Sequence, residues 1–136
     1  MQKAGFSEGI TLNLDKLIMS GHSFGGMTAI DSSLNEPERI KVCLTLDPWL
    51  YCRHSEIQAH RYPIKQPLIA VSSEEFHPFC ENWFESWKTL KQLQTTCATD
   101  TWKQEHVVVK KTGHLHQCDC SVVGPLELFL KAQSRP

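Results

Sequence analysis

The chain reads as an α/β protein built on a parallel sheet, and two observations say so. Four short apolar runs, residues 17–20, 40–46, 67–71 and 106–109, alternate with helical or polar stretches. The first run leads directly into Gly21-His22-Ser23-Phe24-Gly25, a G-x-S-x-G turn placed between strand and helix. Strands separated by helical segments make βαβ units, and such units stack into parallel sheets. The 136 residues suffice for one small domain with a core, and no repeat, low-complexity segment or linker divides them.

Each element has its own local reason. Residues 1–14 are polar and glycine-spotted and lead in as a loop; Asn13-Leu14-Asp15-Lys16 is a turn. Leu17 to Ser20 is then a short buried strand. After the turn, Met27, Ala29, Ile30 and Leu34 recur at helical spacing, and Glu36-Pro37 stops the helix. Ile40 to Leu46 lacks alternation, as suits a parallel strand covered on both faces, and ends at Asp47-Pro48. Residues 48–66 read as an irregular loop, and 67–71 as the third strand. Phe79, Trp83, Trp87, Leu90 and Leu93 mark an amphipathic helix over 78–93, its aromatic stripe packed onto the sheet. A polar loop over 95–104, a fourth strand over 106–109, a loop over 110–116 and a last helix over 122–130 complete the reading.

Composition narrows the function classes. The net charge is −1, so no electrostatic footprint for nucleic acid exists. Apolar residues make up 40% and charged residues 21%, and no apolar run is long enough to span a bilayer. The first residues, Met1 to Phe6, lack the apolar stretch of a signal peptide, which favours a cytoplasmic address. Six cysteines (Cys43, Cys52, Cys80, Cys97, Cys118 and Cys120) are expected as free thiols in a reducing compartment.

The chemistry starts at Ser23. A sharp turn forces this residue into a cramped backbone conformation, which close-packing glycines on either side permit. Its hydroxyl then stands clear of the sheet, and the Phe24 backbone N–H becomes one donor to an oxyanion formed by attack on an ester carbonyl. A serine nucleophile needs an imidazole to take its proton and a carboxylate to orient that imidazole. Asp47 follows the second strand, so it emerges at the same sheet edge as Ser23; Glu74 and Glu75, after the third strand, are the alternatives. Asp31 would face away. For the base, His114 and His116 both lie in the loop after the fourth strand, and spacing alone does not separate them. His22 reads as a packing residue, and His54, His60, His77 and His106 as surface or structural histidines.

Those residues resemble a family. Gly21-His22-Ser23-Phe24-Gly25-Gly26 with Thr28-Ala29-Ile30, Leu46-Asp47-Pro48-Trp49, Gln66-Pro67-Leu68 and His116-Gln117 look like the platelet-activating-factor acetylhydrolases, calcium-independent phospholipases A2 of the α/β-hydrolase superfamily. The resemblance runs from about residue 11 to the C-terminus. It implies Ser23 as nucleophile, Asp47 as acid and His116, through its His-Gln pair, as base. It further implies Trp49 as a pocket wall, Gln117 as a polar substrate contact, and no metal or cofactor. The implied reaction is hydrolysis of the sn-2 acetyl or short, oxidised acyl group of phospholipids at a membrane or lipoprotein surface.

On that resemblance the chain corresponds to the C-terminal half of an α/β-hydrolase fold, about four parallel strands with flanking helices, in one partial catalytic domain over residues 1–136. Its expected partner is the missing N-terminal half, which would cover the elbow strand and carry the second oxyanion donor. Alone the chain is expected to be inactive, and a secreted form is compatible with a missing N-terminus. Cys118-Asp119-Cys120 departs from the family's pattern after the histidine. Three other readings remain: a general carboxylesterase or lipase, a non-catalytic remnant, and a metal-binding module using His114, His116, Cys118 and Cys120. Against the last, ligands in line on one strand span about 20 Å and surround an ion only where the chain turns.

Overall fold

The computed structural model describes residues 9–59, 61, 64–76 and 105–119. The expected helices over 78–93 and 122–130, the loop over 95–104, and His60, His77, Cys80, Cys97 and Cys120 lie outside the described residues. Within them the chain runs β1 (Leu17–His22), α1 (Phe24–Asn35), β2 (Ile40–Leu46), a 3₁₀ turn (Leu50–Arg53), α2 (His54–Gln58), β3 (Leu68–Ser73), β4 (Glu105–Val109) and a second 3₁₀ turn (His114–Gln117). The four strands form one sheet in the order β1-β2-β3-β4, and every pairing is parallel. This is the parallel α/β sheet that the alternation of apolar runs predicts, and it agrees with the fold class the resemblance implies.

The register matters because it levels the strand ends. His22 pairs with Leu46, Leu46 with Val71, and Ser73 with Val109. The residues following each strand therefore leave the sheet along one rim, where ligands gather in open α/β sheets.

α1 covers one face of the sheet. Gly26, Met27, Ala29, Ile30 and Ser33 are buried, recurring at three- and four-residue steps that put one stripe against β1 and β2. Ser33 sits in that stripe with its hydroxyl donated to the Ala29 carbonyl, and the Gln66 amide donates to the Ser33 carbonyl. The core joins Met27, Ala29, Ile30, Cys43, Leu50, Ile57, Ile64, Leu68 and Ala70. Burial raises the Cys43 thiol above its ordinary range, so it packs as a small apolar group.

The structure revises the expected loop over 48–66. Leu50 and Ile57 are fully buried, and the 3₁₀ turn and α2 lie between and around them. Two apolar anchors seven residues apart suit two helical turns, but the intervening Tyr51, Cys52, Arg53, His54, Ser55 and Glu56 carry no apolar period. β1 also runs two residues further than Ser20, because the ladder to β2 continues through His22 and the Ser23 N–H still donates to the Leu46 carbonyl (2.9 Å). Among the described residues β1 forms one edge of the sheet, with Ile18 67% exposed. Cys43, Cys52 and Cys118 are free thiols.

Burial sorts the apolar positions by energetic weight. Ile30→Ala is expected to lower unfolding free energy by about 2–5 kcal/mol, since it leaves a cavity under α1. Ile18→Thr on the exposed edge should stay within about 0.5 kcal/mol. Urea titration of both variants, followed by circular dichroism, checks the contrast.

Candidate active site

Ser23 closes β1 with φ 58° and ψ −122°. This left-handed backbone is costly for a residue with a side chain. Three hydrogen bonds hold it: its N–H to the Leu46 carbonyl, and its own carbonyl accepting from Gly26 N–H (3.0 Å) and Trp49 N–H (2.8 Å). The turn also needs close approach. A Cβ on Gly21 would overlap the Gly25 carbonyl, and one on Gly26 would lie 2.8 Å from the Pro48 Cα. A Cβ on Gly25 would meet nothing within 4 Å. The sterically required glycines are therefore Gly21 and Gly26, and not the pair flanking Ser23 symmetrically.

Asp47 closes β2 in the same way, with φ 42°. Asp tolerates the left-handed region better than most residues. Its side chain is fully buried, and donors surround it. Ser73 N–H donates to Oδ1 (2.7 Å), while the Ser73 hydroxyl donates to Oδ2 (2.6 Å). His114 completes the set, with Nδ1 3.2 Å from Oδ2. The other ring nitrogen of His114, Nε2, lies 2.9 Å from the Ser23 hydroxyl oxygen. With Nδ1–H donated to the carboxylate, Nε2 carries the lone pair that accepts from Ser23. A hydroxyl, an imidazole and a carboxylate thus form one continuous hydrogen-bonded line at the rim.

The structure brings His114, and not His116, to this place. The 3₁₀ turn decides between them. His116 is exposed, and its Nδ1 accepts the Gly113 N–H (2.7 Å), which folds the ring back onto its own turn. His114 opens the turn and faces the strand ends. Its ring stacks on Phe76 (4.2 Å between centroids, 15° between planes) and on His22 (4.4 Å, 33°). His22 Nε2–H donates to the His114 carbonyl (3.0 Å), so the first variable residue of the elbow ties the imidazole's backbone to β1. Burial, followed by the neighbouring His114, depresses the His22 pKa, and its hydrogen bond with the His114 carbonyl and the Asp47 charge oppose this.

Residues 74–76 brace the loop that carries His114. Glu74 N–H donates to the Val109 carbonyl and Glu75 N–H to the Thr112 carbonyl. The Glu74 carboxylate accepts from Lys110 Nζ (2.8 Å) and Lys111 N–H (2.8 Å), and these two contacts lower its pKa. Glu74 and Glu75, weighed as alternatives for the acid, act here on the loop backbone. Asp31 pairs with Arg53 at 3.4 Å, away from the rim. His106 Nε2 lies 2.9 Å from the Ser72 hydroxyl, between β3 and β4.

Around the hydroxyl, Phe24 and Trp49 are exposed and meet edge to face at 6.3 Å. Phe24 N–H is the first of α1, a position with no intrahelical acceptor. Gln117 lies in the same 3₁₀ turn as His114, and both polar atoms of its amide are buried without a hydrogen-bond partner among the described residues. A cavity of about 360 Å³ opens elsewhere, near the N-terminal ends of β2 and β3, beside Glu38, Lys41 and Lys65.

His22, Asp47 and His114 place possible ligand atoms within 4.8 Å of one another. The His22 and His114 rings are tilted at 33°, His22 Nε2 is engaged by the His114 carbonyl, and both nitrogens of His114 are engaged by Asp47 and Ser23. The other proposed ligand set fares no better. Both nitrogens of His114 are engaged by Ser23 and Asp47, and His116 Nδ1 by Gly113.

Spacing carried no signal that separates His114 from His116. Ser73 was missed because a strand-end serine looks like any other. His22 was legible only as a packing residue, and Phe76 carried no signal in the sequence.

Comparison with known proteins agrees with this architecture. The family described as "Platelet-activating factor acetylhydrolase, isoform II" matches residues 9–132. The platelet-activating factor acetylhydrolase of Bos taurus is 36% identical over 66 residues, 48% of this chain and 14% of that protein. That of Canis lupus familiaris is 30% identical over 107 residues, covering 79% of this chain and 21% of the relative. The chain thus spans only a minor part of these relatives' length. Among solved structures, the enterobactin esterase FES from Shigella flexneri superposes with a TM-score of 0.55 over 75% of this chain and 27% of that one, at 17% identity. At that identity the likeness is one of fold.

Two expected outcomes follow from the geometry of the elbow. Gly21→Ala should destabilise the chain by about 1–3 kcal/mol or more through overlap with the Gly25 carbonyl. Gly25→Ala should be neutral or stabilise by up to about 1 kcal/mol, as a helical glycine replaced in open space. Thermal melts of the two variants separate them. The second outcome concerns pH. The folded-state pKa of His22 is depressed, so unfolded chains take up its proton first. Stability should be full above about pH 6.5, the unfolded value, and decline as pH falls below it. His22→Gln should show a smaller loss of melting temperature between pH 7 and pH 5 than the parent.

Proposed function

The chain belongs to the platelet-activating factor acetylhydrolase, isoform II, family, and from that premise we propose that it carries the reacting groups of a serine ester hydrolase. The observation that carries this reading is the line from Ser23 Oγ to His114 Nε2 (2.9 Å) and from His114 Nδ1 to Asp47 Oδ2 (3.2 Å). In the proposed reaction Ser23 Oγ attacks the acyl carbon as its proton passes to His114 Nε2. Asp47 holds the imidazole's orientation and stabilises the imidazolium. The Phe24 N–H donates to the oxyanion. His114 then returns the proton to the departing alcohol, leaving an acyl-Ser23. Water, deprotonated by the same imidazole, releases the acid and restores the Ser23 hydroxyl.

For the substrate we propose a phospholipid bearing an sn-2 acetyl or short, oxidised acyl group, presented at a lipid surface. Membership of the family supports this class, and so does the apolar pair Phe24 and Trp49 beside the hydroxyl. The Gln117 amide, buried without a partner among the described residues, suits a polar substrate group, because an unsatisfied buried amide costs about 1–3 kcal/mol. Phe24 is the single oxyanion donor assigned among the described residues. Losing one of two such donors costs about 10²–10³ in rate, so this chain taken alone is proposed to be inactive or nearly so as a catalyst. A general carboxylesterase is the alternative, separated by comparing hydrolysis of a short-acyl phospholipid with that of a simple aryl ester.

A second reading of the base keeps His116, favoured by the resemblance of His116-Gln117 to the family's pair. Variants decide. In the full-length protein, covalent labelling by a fluorophosphonate is expected on Ser23 and lost in Ser23→Ala. His114→Ala should slow labelling about a thousandfold or more, and His116→Ala by less than about tenfold. The reverse order would assign the base to His116, and absence of labelling would remove the hydrolase reading.

A further inference from the structure

We infer that Ser73 is the positioning residue of the acid, setting how much of the Asp47 carboxylate is available to His114. The inference rests on the hydrolase reading for its consequence in rate, but not for its structural content. Asp47 is fully buried, and three contacts serve its two oxygens. Ser73 supplies two of them: the backbone N–H to Oδ1 at 2.7 Å and the hydroxyl to Oδ2 at 2.6 Å. His114 shares Oδ2 with that hydroxyl at the longer distance of 3.2 Å. Two donors on one oxygen divide its basicity, and the shorter bond takes the larger part.

The placement is specific. Ser73 is the last residue of β3 and fully buried, so its hydroxyl has one direction and no competing water. The neighbouring serine does something else, since the Ser72 hydroxyl meets His106. The backbone contact fixes the carboxylate's plane whatever the side chain, while the hydroxyl contact tunes one oxygen. Removing the hydroxyl therefore leaves the carboxylate in place and gives Oδ2 to His114 alone. The His114 Nδ1–H···Oδ2 bond shortens and strengthens, and the imidazole is drawn toward Asp47 and away from Ser23 Oγ.

The test has two readouts, the first on the full 136-residue chain. The first is the far-downfield proton resonance of the His114 Nδ1–H, assigned by its loss in His114→Gln. It should move further downfield in Ser73→Ala and return toward the parent position in Ser73→Thr, which restores a hydroxyl. The second is the rate of Ser23 labelling by a fluorophosphonate in the full-length protein, expected to fall about tenfold in Ser73→Ala and to recover in Ser73→Thr. Should Ser73→Ala fail to fold by circular dichroism, Ser73→Cys, close in shape but a weak donor, is expected to reproduce the downfield shift. An unmoved resonance in a folded Ser73→Ala or Ser73→Cys overturns the inference, as does absence of the resonance in the parent. A moved resonance in a parent that is never labelled supports the inference and removes the hydrolase reading instead.

Discussion

The site depends on one buried carboxylate. Asp47 sits at the end of β2 with no exposure, and an ionised group taken out of water is tolerable only where donors replace the lost hydration. Here the donors come from the end of β3 and from the loop after β4. The requirement to satisfy this one group therefore ties three strand ends together. His114 reaches Ser23 because it has first been drawn to Asp47.

The segment Ser73–Phe76 does most of the remaining placement. Ser73 holds the Asp47 carboxylate, Glu74 and Glu75 hold the backbone of residues 109–112, and Phe76 lies flat against the His114 ring. On the other side His22 stacks on the same ring and donates to its backbone carbonyl. An imidazole between two aromatic faces has little freedom except in its own plane, where its two nitrogens meet Ser23 and Asp47. Preorganisation of this kind is what lets a proton move without first waiting for a rotamer.

Much of this was legible from residue order, for reasons that differ by residue. β2 and the end of α1 were readable because Asp47-Pro48 and Glu36-Pro37 punctuate them with a missing N–H donor. Ser23 and Asp47 were readable because parallel strands send their following residues to one rim. His114 was not readable from its neighbour. Two histidines two residues apart in a loop differ in direction only once the turn between them is known, and the resemblance of His116-Gln117 to the family's pair pointed to the exposed ring. Ser73 was invisible for a related reason, since its role lies in a contact made 26 residues away in sequence. α2 was hidden because its single buried residue, Ile57, gives no period to count.

Backbone strain explains why the parts meet at all. Among the described residues, three non-glycine positions have positive φ: Ser23, Asp47 and Lys111. Each lies just beyond a strand, after β1, β2 and β4. A chain leaving a strand in ordinary extended geometry carries its next side chain outward along the strand axis. A left-handed residue at that point turns the chain back, so Ser23 and Asp47 project over the rim and Lys111 redirects the path toward His114. Such residues cost about 1–3 kcal/mol each, and each is held by named contacts: Ser23 by Leu46, Gly26 and Trp49, Asp47 by Val71 and Ser73, Lys111 by the Glu74 carboxylate. The strain is therefore distributed around the rim and restrained in every case from the neighbouring strand or the residue just beyond its end. That arrangement makes the geometry of the site a property of the sheet as a whole, which no single element of it could maintain alone.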